Sequence, residues 1–339
     1  SVQSILVEGL KRLEYRGYDS AGIALVHSGK IDCTRAKGKV AELEKLVSDS
    51  SASQGIAHTR WATHGVPSVR NAHPHCSGRF AVVHNGIIEN HLELKNPLIE
   101  QGHVFESETD TEIVAHLVWR NREAGQDLVT AVRNAALELH GAFSIVVMDA
   151  DTPDKIVGVR VASPLVLGVG EGENFLASDV PAILEHTRDV IFLEEGTLAV
   201  VQGDGYTLQD LQSEAVLDTQ VRRITWTPAM AEKGGYKHFM LKEIHEQPRA
   251  MVDTLRGRIS LETGDVHLED MSLDDARVRQ IDRIYICACG TAWHAGLVGK
   301  RFIEQWARIP VEVDLASEFR YRDPLVTENS LFIAVSQSG

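Results

Sequence analysis

The clearest structural signal in this chain is AFSIVVMDADTPDKIVGVRVASPLVLGVG, the stretch from Ala142 to Gly170. Short runs of aliphatic, largely β-branched residues alternate in it with Asp, Pro and Gly. Such runs between turn residues are typical of strands. Similar runs continue to Val201, and the predicted strands are Ser144–Met148, Ile156–Val159, Leu165–Val169, Asn174–Ala177, Val190–Leu193 and Thr197–Val201.

The chain before Ala142 mixes helix and strand patterns. Apolar residues at helical spacing predict a helix over the first thirteen residues, another that Asp110 opens, and a third over Leu128–Leu139. A further helix over Leu92–Ile99 is interrupted by Pro97. The predicted strands are Gly22–Val26, Ile31–Arg35, Gly55–Thr59 and Phe80–His84. The first half is therefore predicted to be α+β, with sheets covered by helices.

The pattern changes after the segment from Arg222 to Gln247, which lacks the hydrophobic pattern of a strand and carries a Gly-Gly pair. A helix is predicted over Gln247–Leu255. Beyond Asp282, strand, Gly turn, helix and strand follow one another, which is the order of a parallel βαβ unit. The predicted domains are residues 1–222, a linker and connecting helix at 223–255, and the start of a doubly wound α/β domain at 256–339.

Composition narrows the class of protein. The chain has 339 residues, of which 43% are hydrophobic and 24% charged, values typical of a globular protein of about two domains. A net charge of −14 opposes general binding to nucleic acid. Four scattered cysteines are too few for a disulfide framework and indicate a reducing compartment, so a cytoplasmic location is predicted. No stretch approaches the roughly 20 apolar residues of a membrane helix.

Both ends of the sequence suggest an interior piece of a longer protein. Ser1 is not an initiator methionine, and the residues after it already have a helical pattern. At the other end, a buried strand over Leu331–Val335 runs into Ser336 and a Gly-ending turn, which normally leads into a helix.

The densest polar cluster is HTRWATHG at His58–Gly65, followed by NAHPH at Asn71–His75 and HNG at His84–Gly86. Three interpretations remain open for it. The histidines could be hydrogen-bonded core or loop residues, or they could bind a metal, although neither CxxC nor HExxH is present. They could also line a polar pocket for a small molecule.

The pocket interpretation assigns complementary charges. Arg60, at a predicted strand end, can hold a carboxylate bidentately, and Asp110 can pair with an ammonium group. Together they would hold both charged ends of an amino acid. Asn85 and Gly86, placed on a turn after a strand, offer an amide and a backbone N–H of the kind that forms an oxyanion hole. The alternative for Asn-Gly is an ordinary tight turn.

The second half has its own candidate site. Gly290 and Thr291 follow a predicted strand and open a helix, where backbone N–H groups and the helix dipole favour a phosphate. Ser336, Gln337 and Ser338 form a hydroxyl-rich turn after a neighbouring parallel strand. The alternative is that both are solvent-exposed turns. Cys287 and Cys289 alternate onto one face of their strand and are interpreted as packing residues rather than a metal pair.

Eight short strings carry a family resemblance. Five resemble the glutaminase domain of the N-terminal-nucleophile amidotransferases: EYRGYDSAG, HTRWATHG, NAHPH, HNGIIEN and SETDTE. Three near the end, ACGTAWHAG, ASEFRYR and SQSG, resemble the start of a sugar isomerase (SIS) domain. In this order, from Leu6 to Gly339, they are similar to the glutamine–fructose-6-phosphate aminotransferase family. The resemblance implies a four-layer αββα domain followed by a doubly wound SIS domain.

The family resemblance implies roles for matching residues. Arg60 would bind the glutamine α-carboxylate and Asp110 its α-ammonium group, while Asn85 and Gly86 would form the oxyanion hole. The remaining implied roles are pocket lining by Thr63 and His64, a gate at Trp61, active-site support by Arg16 and His73, and sugar-phosphate binding by Gly290, Thr291, Ser336, Gln337 and Ser338. The family's nucleophile is an N-terminal cysteine that this chain lacks, so the chain as printed is expected to be inactive.

The implied reaction transfers glutamine nitrogen to D-fructose 6-phosphate and yields D-glucosamine 6-phosphate and L-glutamate. It implies no metal and no organic cofactor, a homodimer when full length, and no nucleic-acid or membrane partner. Two alternatives remain: another class II glutamine amidotransferase, such as the phosphoribosyl-pyrophosphate type, and a non-enzymatic sugar-phosphate sensor.

Overall fold

The computed structural model of the chain describes residues 1–14, 19–48, 50–60, 66–225, 236–255, 258–259, 264, 266, 275–319 and 321–336. It divides into two compact units, Ser1–Asp265 and Val266–Gly339. The domain boundaries predicted after residues 222 and 255 stay predictions.

Among its described residues, the first unit contains six α-helices. They are α1 (Val2–Leu13), α2 (Val40–Glu44), α3 (His91–Glu100), α4 (Glu112–Glu123), α5 (Leu128–Glu138) and α6 (Phe239–Leu255). Ser1 caps α1 in a reciprocal capping box with Ser4, and the Asp127 carboxylate caps α5 by accepting from the Thr130 N–H. The predicted helices of the first half are thus present, and α6 begins at Phe239, eight residues before its predicted start.

The part of this unit that the structure describes contains thirteen strands. They are β1 (Ser20–His27), β2 (Lys30–Lys37), β3 (Gln54–Arg60), β4 (His75–Ser77), β5 (Phe80–Ile88), β6 (Gly141–Asp149), β7 (Ile156–Val161), β8 (Val166–Val169), β9 (Asn174–Ala177), β10 (Asp189–Phe192), β11 (Thr197–Val201), β12 (Tyr206–Asp210) and β13 (Arg222–Arg223). They form sheets of order β2-β1-β3, β13-β10-β8-β9 and β12-β11-β7-β6-β5-β4, paired antiparallel throughout.

Three apolar clusters show how these elements are layered. Residues of β1, β3, β8 and β10 pack against residues of β5, β6 and β11 in a core between the sheets. Helices α4 and α5 cover the other face of the six-stranded sheet. Helices α1 and α2 cover the outer face of the three-stranded sheet. The four layers, helix, sheet, sheet and helix, confirm the predicted αββα architecture.

Strand β6 shows why its sequence is nearly continuous in apolar residues. Eight of its nine residues are buried, because helices cover one face and the second sheet covers the other. An outer strand between water and the core would alternate instead. The short elements β4 and α2 were not predicted, since three to five residues carry too little periodicity.

The second unit is a parallel α/β arrangement. It contains α7 (Asp275–Val278), β14 (Arg283–Ala288), α8 (Thr291–Trp306), β15 (Val311–Leu315), α9 (Ala316–Phe319) and β16 (Ser330–Val335). The strand order is β15-β14-β16, with both pairs parallel. The predicted βαβ unit is therefore confirmed.

Among the residues that the structure describes, no helix has both the length and the apolar character that crossing a membrane requires.

Candidate active site

One cavity of the first unit, with a volume of about 1550 Å³, collects the central predicted residues of the pocket. Strand β3 brings Arg60 to its end, β5 brings Asn85 and Gly86, and the segment before α4 brings Asp110. The His73 side chain lines the same cavity. Four separate parts of the sequence therefore meet at one place.

Asn85 and Gly86 lie within β5, so the prediction of a turn at this pair is wrong, while the oxyanion-hole role implied for it stays a prediction. They pair with Ser144 and Phe143 of the neighbouring strand β6. Gly86 has a φ of +122°, and a Cβ atom there would lie 2.0 Å from the Ala142 carbonyl oxygen. Only glycine fits this position, because an L side chain would meet both backbone strain and a direct clash.

Asp110 does not open a helix as predicted, because α4 begins two residues later at Glu112. Its buried carboxylate instead accepts a hydrogen bond from the Ile88 backbone N–H at 2.8 Å, through Oδ2. The Thr111 hydroxyl lies 3.4 Å from Oδ1, and the His84 Nδ1 atom lies 4.0 Å from Oδ2. These contacts tie the carboxylate to the end of β5.

Arg60 is the buried cation of the cavity, with 4% of its surface exposed. Burial lowers the pKa of its guanidinium, while the negative charges of Asp19 and Asp110 raise it, and the net direction is downward. A buried cation and a buried carboxylate line one cavity. Their charges are opposite to those of the carboxylate and the ammonium group of an amino acid.

Among the described histidines of the cluster, His73, His75 and His84 are buried and His58 is half-buried. Burial lowers the pKa of His58 to about 4 and that of His75 to about 3, and it lowers that of His73 well below its ordinary value. His75 Nε2 lies 2.9 Å from the Thr109 hydroxyl, as the core interpretation expects, whereas His58, His73 and His84 line the cavity. Among the described residues, no group of three His, Cys, Asp or Glu side chains could hold a metal ion.

Glu112 is a residue that the sequence analysis missed. Its carboxylate accepts hydrogen bonds from the backbone N–H groups of Glu106 and Ser107 at 2.8 and 2.6 Å, and from the Ser107 hydroxyl at 2.6 Å. It thereby holds the segment that leads into Asp110. Burial raises the pKa of Glu112, but the His116 ring and these hydrogen bonds outweigh it and lower the pKa to about 2. An acidic residue in the first turn of a helix was the available sequence signal.

Replacing Glu112 by glutamine is expected to lower the free energy of unfolding by about 2–3 kcal/mol at pH 7, because charge-assisted hydrogen bonds are lost. The pKa of the folded state, about 2, lies below the ordinary value of 4.5. The carboxylate therefore stabilises the fold above pH 4.5, and this contribution disappears as the pH falls toward 2. Urea unfolding at pH 7 and pH 3 measures the free energies of unfolding of Glu112→Gln and of the unmodified chain. The difference between the two should be smaller at pH 3.

The matched control for this experiment is Glu8→Gln, which removes a carboxylate from an exposed pair with Lys11. It should change the free energy of unfolding by less than about 0.5 kcal/mol. Equal stability of Glu112→Gln and the unmodified chain at pH 7 would contradict the role assigned to Glu112.

Some predicted positions fall outside the described residues. They are Arg16, Trp61, Thr63, His64, Gln337 and Ser338. Their implied roles stay predictions.

In the second unit, Gly290 and Thr291 follow β14 and begin α8, and Ser336 follows β16. Strands β14 and β16 pair in parallel with Ala288 opposite Val335, so both turns lie at the same edge of the sheet. Gly290 adopts a φ of +60°. This is the edge at which doubly wound sheets bind ligands.

The two cysteines of this region differ from the prediction. Cys287 lies in β14 and is buried, and burial raises the pKa of its thiol. Cys289 is exposed and lies beyond the end of the strand, which stops at Ala288. The packing interpretation therefore holds for Cys287 and is wrong for Cys289.

Comparison with protein families assigns a class to each unit. Residues 58–185 match the glutamine amidotransferase domain, and residues 278–339 match the SIS domain. The chain thus carries a glutaminase domain of the N-terminal-nucleophile type followed by the start of a SIS domain, which confirms the predicted fold class.

Curated relatives define the family more closely. A glutamine–fructose-6-phosphate aminotransferase (isomerizing) from Symbiobacterium thermophilum is 57% identical over 99% of this chain, and one from Caldanaerobacter subterraneus is 51% identical over 99%. The chain belongs to the family of glutamine–fructose-6-phosphate aminotransferases. It covers 55% of the length of each of these two relatives.

Solved structures agree at the level of the fold. The chain is similar to a glutamine phosphoribosylpyrophosphate amidotransferase from B. subtilis, with a TM-score of 0.54 and 21% identity over 99% of this chain and 66% of that chain. At this identity the likeness concerns the fold alone. The closer sequence relatives and the SIS match disfavour the phosphoribosyl-pyrophosphate alternative.

Proposed function

We propose that the full-length protein makes D-glucosamine 6-phosphate and L-glutamate from D-fructose 6-phosphate and L-glutamine. The observation that carries this proposal is the meeting of Arg60, Asp110, Asn85 and Gly86 on one cavity of a glutamine amidotransferase domain. The names of the sequence relatives and the SIS domain that follows support the choice of acceptor.

The glutamine half-reaction follows from the polarity of this cavity. Arg60 would pair with the substrate α-carboxylate and Asp110 with its α-ammonium group, which directs the side-chain amide toward Asn85. A thiolate would attack the amide carbon, and the Asn85 amide and the Gly86 N–H would donate to the developing oxyanion. The proton that the thiol gave up passes to the leaving nitrogen, so collapse of this intermediate releases ammonia and leaves a thioester, which water cleaves to glutamate and the free thiol.

The sugar half-reaction belongs to the SIS domain. We assign the phosphate of fructose 6-phosphate to the sheet edge formed by Gly290, Thr291 and Ser336. Backbone N–H groups at the start of the 16-residue helix α8 favour an anion, and the two hydroxyls add donors. Ammonia would replace the C2 oxygen of the open-chain sugar, and isomerisation of the imine would give the 2-amino aldose.

Incubation of the full-length protein with both substrates tests the proposal. Formation of glucosamine 6-phosphate and glutamate in equal amounts is expected. Binding of the sugar phosphate without turnover would instead favour the alternative of a non-enzymatic sugar-phosphate sensor. The polypeptide Ser1–Gly339 provides a control for contaminating enzymes. None of the described residues that line the cavity is a cysteine, and Cys33 and Cys76 lie on β2 and β4, so this polypeptide should not release glutamate.

Thr291→Val and Ser336→Ala in the full-length protein should each raise the KM for fructose 6-phosphate by about 10-fold, since each removes a donor to a charged group. Hydrolysis of glutamine without sugar should stay largely intact. Steady-state kinetics of both half-reactions measure the two effects. Thr327→Val removes a hydroxyl of the same unit that bonds to Ser330 and serves as the matched control. An unchanged KM in both variants would contradict the phosphate assignment.

We further propose a homodimer in the cytoplasm that does not bind nucleic acid. The four dispersed cysteines support the cytoplasmic location. The net charge of −14 supports the absence of nucleic-acid binding. Sedimentation of the full-length protein tests whether it is a homodimer.

A further inference from the structure

His58 is a half-buried residue of β3 that no step above uses. Its Nε2 atom lies 3.0 Å from the Oδ1 atom of Asn85, although the two residues are 27 positions apart. The His73 ring stacks on it at a centroid distance of 4.3 Å and an interplanar angle of 30°. The ring is therefore held in place next to the amide to which oxyanion binding is assigned.

The chemistry of the pair settles which atom carries the proton. A carboxamide oxygen only accepts hydrogen bonds, so the Nε2 atom of His58 must donate. Burial, together with the positive charges that His84 and Arg60 can carry, keeps the pKa of His58 at about 4, while hydrogen bonds to the Asn85 side chain and the His84 backbone oppose this shift. The ring is thus neutral at pH 7 with its proton on Nε2.

This hydrogen bond distinguishes the two ends of the Asn85 amide. With Oδ1 held by His58, the NH₂ group must point away from the ring. With the ring proton on Nε2, a half-turn of the amide would place NH₂ against that proton, donor against donor. The orientation that makes the bond is also the orientation that leaves the NH₂ free to donate elsewhere.

We infer that His58 is a positioning residue that orients the Asn85 amide as a donor to the oxyanion of glutamine hydrolysis. The inference rests on the proposed glutaminase function. It assigns His58 no contact with substrate, so its effect passes through Asn85 alone. Preorganised donors matter most in the transition state, so the loss of His58 should appear in kcat rather than in KM.

The test uses glutamine hydrolysis by the full-length protein. His58→Phe keeps a ring but removes the donor, and it should lower kcat by about 10- to 100-fold, part of what loss of the Asn85 donor itself would cost. The KM for glutamine should change by less than about twofold. His58→Gln and His58→Asn form a matched pair. The Gln amide nitrogen can occupy the place of Nε2 and the shorter Asn nitrogen cannot, so Gln should restore most of kcat and Asn should not.

A double-mutant cycle separates positioning from general damage to the fold. If His58 acts through Asn85, His58→Gln, His58→Asn and His58→Phe should have little further effect on kcat once Asn85 is alanine. A structural role would lower activity in both backgrounds. Urea unfolding of every variant shows which ones fold, and the Gln and Asn variants decide the question if Phe prevents folding.

Additive losses in the cycle, a raised KM with unchanged kcat, or equal rescue by Asn and Gln would each overturn the inference and leave the proposed function intact. Absence of glutamine hydrolysis in the unmodified full-length protein would overturn the proposed function and the inference together. The two failures are therefore distinguishable.

Discussion

Replacement of Asn85 by alanine in the full-length protein is expected to lower kcat for glutamine hydrolysis by about 10²- to 10³-fold. The Asn85 side chain lines the cavity beside Gly86, whose position against Ala142 admits no side chain. The amide would donate to an oxygen that becomes negative only as the nucleophile attacks. Its loss therefore affects the transition state far more than the bound substrate, and KM should change little.

Steady-state kinetics with glutamine alone, and then with fructose 6-phosphate, measure the Asn85 effect in both half-reactions. Asn134→Ala is the matched control, because its amide donates to Gln126 on the helical side of the domain and does not line the cavity. Its kinetics should equal those of the unmodified protein. If Asn85→Ala abolished sugar-phosphate binding and spared hydrolysis, the separation into two sites would be wrong.

Loss of either charged group of the pocket should weaken the use of glutamine strongly. Arg60→Ala and Asp110→Asn are each expected to lower kcat/KM for glutamine by about 10²-fold, mainly through KM, because a buried charge of the substrate loses its partner. Both residues are only 4% exposed, so water cannot easily replace the lost contact. Sugar-phosphate binding should be spared.

Arg223→Ala is the control for the charge change, since Arg223 forms an exposed ion pair with Asp189. It should leave kcat/KM within about twofold of the unmodified value. A near-normal KM for glutamine in both Arg60→Ala and Asp110→Asn would refute the assignment of the two charges to the ends of the amino acid.

The turn prediction at Asn85 and Gly86 shows where local sequence patterns fail. Asn-Gly favours a tight turn when only neighbouring residues are considered. In the structure the pair is extended, because β5 continues to Ile88 and pairs with β6, more than fifty residues later in the sequence. A strand partner at that separation has no local signature. The same reason explains Asp110, whose partner is the backbone of Ile88 and not a helix start.

By itself the sequence determined the layers of the fold, the parallel βαβ unit and the family. Apolar runs such as Ser144–Met148 predict buried strands, and the Gly turn between β14 and α8 predicts the change from strand to helix. Both patterns are carried by residues that are neighbours in the sequence. The motif strings named residues that meet on one cavity, although their roles in the reaction stay predictions.

Only the tertiary structure decided how the pocket is built. The contact between His58 and Asn85, the hold of Glu112 on the segment before Asp110, and the strand position of Gly86 all join residues through space. Side-chain hydrogen bonds depend on distances of about 3 Å, which are set when the sheets and helices pack together. No spacing along the chain encodes such a distance.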